Sequence, residues 1–179
     1  GDTPDAKEFF MAWQYASYVQ TAAQKGRQNH DIPMYVNSWQ KKNDNNPLAY
    51  IPAADPSIVS LTFYKAAAPS IDICAPDLYY TSFREFCQRY TRPDNPLFIP
   101  ECTRDAGKAF YIFSELNALC FAPFGIEDGA NDLEFTAAYG VLKNLLPTIL
   151  KYQGTGKMRG WWRQHDEERF HFTMGNYQL

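Results

Sequence analysis

Pro96-Leu97-Phe98-Ile99-Pro100-Glu101 is an apolar run that closes on a carboxylate. Its apolar residues follow one another instead of alternating, which is the pattern of a parallel strand covered on both faces. Three other runs have the same form, at 32–37, 71–77 and 119–126. The stretches between and after them, 56–68, 82–90, 107–116 and 133–152, read as helices, with Pro147 expected to kink or split the last. A further helix precedes the first run. Thr3 is placed to cap it, Pro4 suits its first turn, and Asp5 and Glu8 sit at the positive end of its dipole. Phe9, Trp13, Ala16, Val19 and Ala23 recur at helical spacing, and Gly26 marks the expected end.

The strand ends at 37, 77, 101 and 126 are 40, 24 and 25 residues apart. Eight βα units in roughly 250 residues imply about 30 per unit, so the spacing predicts an α/β chain of four parallel βα units, half of a (β/α)8 TIM barrel, over 1–160. The long first interval contains a polar, Asn/Pro-rich stretch at 40–55, which reads as an extended loop on the C-terminal face, where barrel active sites are built. In 161–179 Phe170, Phe172 and Met174 alternate as in a half-exposed strand, predicting the start of a β domain. Four strands alone leave an apolar edge, so the expected partner is an N-terminal half of the barrel or a second copy of the chain. A small flavodoxin-like open sheet is the competing architecture, and it lacks a Gly-rich phosphate-binding turn here.

The composition, 45% hydrophobic and 21% charged, is that of a folded domain rather than a disordered chain. A formal charge of −3 with scattered basic residues gives no footprint for nucleic acid. No apolar run approaches the roughly 20 residues of a membrane span. Cys74, Cys87, Cys102 and Cys120 are far apart and read as buried free thiols, and His30, His165 and His171 have no ligand spacing, so no metal and no cofactor are expected.

Glu101 is the candidate for chemistry, because a carboxylate ending a buried strand is costly unless it is solvated, paired or functional. It either pairs with Arg104 or acts on a ligand. Asn37 and Trp39 open the long loop, where an amide can bond sugar hydroxyls and an indole can stack on a pyranose, or where they cap a turn and fill a gap. Asp77 follows Pro76 and either touches substrate, orients Tyr79 or makes a turn. Glu127 and Asp128 form another acidic pair at the rim and precede Gly129, Asn131 and Asp132, a setting for loop solvation and capping of the next helix, with catalysis as the alternative.

Several strings resemble β-galactosidase-type enzymes of glycoside hydrolase family 35 and their bacterial relatives. They are Ile-Pro-Met-Tyr-Val-Asn-Ser-Trp (32–39), Lys-Ala-Ala-Ala-Pro-Ser-Ile-Asp-Ile-Cys-Ala-Pro-Asp-Leu-Tyr (65–79), Tyr-Thr-Arg-Pro-Asp-Asn-Pro-Leu-Phe-Ile-Pro-Glu (90–101) and Phe-Ala-Pro-Phe-Gly-Ile (121–126). Phe-Thr-Met-Gly-Asn-Tyr (172–177) resembles the opening of the C-terminal β domain of those enzymes.

The resemblance implies a retaining glycosidase with a carbohydrate substrate, a β-galactoside or related β-glycoside. It casts Glu101 as the nucleophile and Tyr79 as the tyrosine that donates to it; read without the resemblance, Tyr79 is a rim aromatic. It places the acid/base on a strand upstream of residue 1, and it leans toward a periplasmic or secreted setting. Phe124 stands where many barrels of this clan place a tryptophan in the sugar platform, and the long loop lacks the glycine content of relatives. The alternative is a non-catalytic half-barrel that packs with a partner or binds carbohydrate weakly.

Overall fold

A computed structural model describes residues 2–38, 58–79, 83–163 and 171–178. Helix α1 (Pro4–Asn29) leads into β1 (Tyr35–Ser38), α2 (Ile58–Ala67), β2 (Ile73–Leu78), α3 (Phe83–Tyr90), β3 (Phe98–Cys102), α4 (Ala106–Glu115), β4 (Cys120–Pro123) and α5 (Leu133–Tyr152). The strands form one parallel sheet in the order β1-β2-β3-β4. An antiparallel hairpin of β5 (Thr173–Met174) and β6 (Tyr177–Gln178) follows, turning at Gly175, whose φ of 59° suits a residue without Cβ. This is α/β architecture with the strand order of half a (β/α)8 barrel. A doubly wound sheet would reverse its order part-way, and this one does not.

One core joins all the long helices to one face of the sheet. Cys74 and Leu78 of β2, Ile99 and Cys102 of β3 and Phe121 of β4 meet Ala16 and Ala23 of α1, Leu61 and Tyr64 of α2, Phe83 and Cys87 of α3, Ile112 of α4 and Leu142 of α5. Ile99 and Cys102 are both fully buried although they are three residues apart, an interval that strict alternation would send to opposite faces. The register between β3 and β4 shifts by one residue between them. Pro100 and Glu101 together occupy the place of one residue, a bulge at a proline that has no N–H for the ladder.

Several boundaries differ from the sequence expectation. α1 runs to Asn29, a turn past Gly26, and its stripe is buried only at Ala16 and Ala23, whereas Phe9 and Trp13 are 40% and 42% exposed. The last strand stops at Pro123 instead of 126, because Phe124 and Gly125 turn the chain, Gly125 with φ 58°, into a short 3-10 helix, Ile126–Gly129. Pro147 does not split α5, which is continuous. Residues 143–148 are exposed, so the Lys143 carbonyl that loses its i+4 donor faces water. The loop expected at 40–55 and Phe170 of the tail lie outside the described residues.

The turn before β3 is tied to β2 by Asn95, which is fully buried. Its Oδ1 accepts from Cys74 N at 2.8 Å, and its Nδ2 donates to the carbonyls of Cys74 and Tyr90 at 3.1 and 3.0 Å. Asn95→Ala strands buried backbone groups and is expected to lower the unfolding free energy by roughly 3 kcal/mol in urea titrations. A loss within error of zero would show that water replaces the amide.

Candidate active site

Because the four strands are parallel, their C-terminal ends share one edge of the sheet, and the register decides which side chains meet there. Asp77 of β2 stands opposite Glu101 of β3, and Asn37 of β1 stands opposite Ala75, two residues before Asp77. Asn37, Asp77 and Glu101 therefore line the edge in order. The bulge at Pro100 and Glu101 directs Glu101 away from the helix-covered face that takes Ile99 and Cys102.

Each carboxylate has its own partner. Tyr79, the first residue past β2, donates its hydroxyl to Glu101 Oε1 at 2.5 Å. Asn37 Nδ2 donates to Asp77 Oδ1 at 2.9 Å. The phenol thus reaches Glu101, and Asp77 is held by the amide of the neighbouring strand. Glu101 does not pair with Arg104, because Arg104 donates to the Gly125 carbonyl at 3.0 Å and faces Asp128 at 3.6 Å. In the same loop Asp132 caps α5, accepting from Phe135 N at 3.0 Å.

Burial drives the titration of the site. Asp77 is only 6% exposed, and its pKa is pushed up from 3.8 to about 6, chiefly by desolvation; the Asn37 bond opposes the rise and the nearby Glu101 charge adds to it. Desolvation and then the Glu101 bond raise the Tyr79 phenol, so it stays a protonated donor.

Phe124 lies just past β4, its N–H bonded to the Cys102 carbonyl at 2.9 Å and its ring 67% exposed. It follows the C-terminal end of β4, the strand next to that of Glu101. Trp39 lies outside the described residues. Cys74, Cys87 and Cys102 are buried free thiols and Cys120 is half-buried. Burial raises the Cys74 thiol to about 11, far from a reactive thiolate. Among the described residues, no three His, Cys, Asp or Glu side chains cluster as metal ligands and no helix is long and apolar enough to cross a membrane.

Sequence reasoning missed Lys108, a buried cation in the first turn of α4 that donates to Thr103 Oγ1 at 2.8 Å, two residues beyond Glu101. The signal was available: it is the one basic residue in the apolar helix Ala-Gly-Lys-Ala-Phe-Tyr-Ile-Phe-Ser-Glu.

Residues 135–179 match a domain of unknown function, DUF5597. The match begins inside α5 and runs through the segment 157–163 to the hairpin β5–β6. None of the curated proteins matches this chain.

The native state holds the Asp77 proton more tightly than the unfolded chain does, because the folded pKa is the higher one. The stability this adds is present in full below about pH 4 and disappears as the pH rises through about 6. Asp77→Asn keeps an acceptor for Asn37 and is expected to flatten this part of the stability curve, by on the order of 2 kcal/mol between about pH 4 and 7. An unchanged slope in the variant rejects the assignment.

Proposed function

We propose that this chain carries the nucleophile of a retaining glycoside hydrolase acting on β-galactosides or related β-glycosides, with Glu101 as that nucleophile and the acid/base supplied from outside the 179 residues. The observation that carries the reading is the Tyr79–Glu101 hydrogen bond at the C-terminal edge of a parallel sheet. A retaining glycosidase needs an ionised carboxylate held still beneath the anomeric carbon. A neutral phenol bonded to Oε1 holds the group in one orientation and leaves Oε2 for attack. The substrate class rests on the resemblance of the strings at 32–39, 65–79, 90–101 and 121–126 to glycoside hydrolase family 35.

In the first step Oε2 of Glu101 forms a bond to the anomeric carbon as the bond to the leaving oxygen breaks, and that oxygen takes a proton from the acid/base. Water then attacks the same carbon, giving its proton to the same acid/base and releasing Glu101. Asn37 and Asp77 offer an amide and a carboxyl beside the reacting centre for sugar hydroxyls, and the exposed ring of Phe124 offers an apolar face at the far side of the edge.

The test is covalent trapping in the complete barrel with a 2-deoxy-2-fluoro-β-galactosyl fluoride, followed by peptide mapping. The ester is expected on Glu101; an ester on another carboxylate, or turnover that persists in Glu101→Gln, refutes the reading. Tyr79→Phe keeps the ring and removes the donor, and it is expected to lower kcat by about ten- to a hundredfold with little change in KM. A KM effect alone would reassign Tyr79 to substrate binding.

A further inference from the structure

Lys108 is 7% exposed and, among the described residues, pairs with no carboxylate. Its ammonium lies 4.9 Å from the centre of the Phe83 ring and 5.1 Å from that of Trp162, and these rings meet edge to face at 5.6 Å. Aromatic faces compensate part of the desolvation of a buried cation, but an apolar side chain of the same length would fill the site without that cost. The charge therefore calls for a reason other than packing. Its one hydrogen bond supplies it: Thr103 Oγ1, the first residue past β3 and two residues beyond Glu101.

Trp162 comes from the segment that matches DUF5597, and that segment is pinned. Arg159 makes two bonds of 2.9 Å to Glu115 at the end of α4, and Gly160 N donates to the same carboxylate at 3.0 Å. Gly160 passes so close to α4 that an added Cβ would lie 1.9 Å from Ser114 Oγ and 3.1 Å from the Tyr111 carbonyl. At the other end of the helix, a Cβ on Gly107 would meet the Trp162 ring at 3.0 Å. The segment thus runs along α4 from its C-terminus to its N-terminus and ends against Lys108.

We propose that Lys108, boxed by Phe83 and Trp162, is a positioning residue that fixes the loop after β3 and through it the carboxylate of Glu101, so that the DUF5597-matching segment acts as a brace for the candidate nucleophile. This rests on Glu101 being the nucleophile. The experiment compares Lys108→Met, Trp162→Leu and Trp162→Phe with the unaltered protein in the complete barrel, measuring the melting temperature and the rate constant for labelling by the 2-deoxy-2-fluoro-β-galactosyl fluoride.

Lys108→Met is expected to leave the melting temperature unchanged or higher, because a buried charge is removed, yet to slow labelling about ten- to a hundredfold, the scale of a small misplacement of a reacting group. Trp162→Leu is expected to slow labelling as well, and Trp162→Phe, which keeps a ring over the cation, to restore most of the rate. Labelling at the unaltered rate in Lys108→Met overturns the proposal. If the unaltered protein is not labelled at Glu101, the hydrolase reading fails by itself, and the brace is read from the carboxyl-carbon NMR signal of Glu101, identified by its loss in Glu101→Gln. A titration of that signal that moves in Lys108→Met and Trp162→Leu and returns in Trp162→Phe supports the brace; one identical in all variants overturns it.

Discussion

The bulge at Pro100 and Glu101 is the constraint on which the site depends. Ile99 and Cys102 must both enter the helix-covered core, and an unbroken strand could bury only one of them there. Doubling Pro100 and Glu101 into one ladder position satisfies both and leaves Glu101 on the other face, beside Asp77 and within reach of Tyr79. The proline lacks the N–H that the irregular ladder cannot pair, so the same residue that permits the bulge also presents the acid.

Two carboxylates one strand apart repel each other, and the site resolves this through unequal surroundings. Glu101 receives a phenol, and Asp77 receives an amide in a more buried position that raises it to about 6. Near neutrality it is Asp77 that titrates, beside the carboxylate that the phenol orients. Arg104 could have neutralised either one, but it is drawn off by Asp128 and the Gly125 carbonyl in the loop after β4. Glu101 therefore keeps its phenol without a cation beside it in the described structure.

Behind this edge, α4 links the site to the tail. Asp105 caps the helix by accepting from Gly107 N at 3.1 Å, Lys108 turns back to Thr103, and the opposite end of the helix holds Arg159 through Glu115. The cluster of Lys108, Phe83 and Trp162 gathers α3, α4 and the segment after α5 at one point. Packing of this kind joins residues 159–162 to α3 and α4.

The sequence by itself determined the alternation of parallel strands and helices, because runs of successive apolar residues and helical spacing depend only on local geometry and on which faces are covered. It also marked Glu101, since an acid ending such a run stands out without any fold. It overextended the last strand past Pro123, where the positive φ of Gly125 ends the ladder, and it stopped α1 at Gly26, where a single glycine is too weak to end a helix whose following turn is still bonded. Only the tertiary structure decided that Asp77 belongs to Asn37 and Arg104 to Asp128, and that Lys108 lies between two rings. Those partners are up to 54 residues apart, as Lys108 and Trp162 are, and a hydrogen bond or ring contact across such distances is set by strand register and helix packing, which no local pattern encodes.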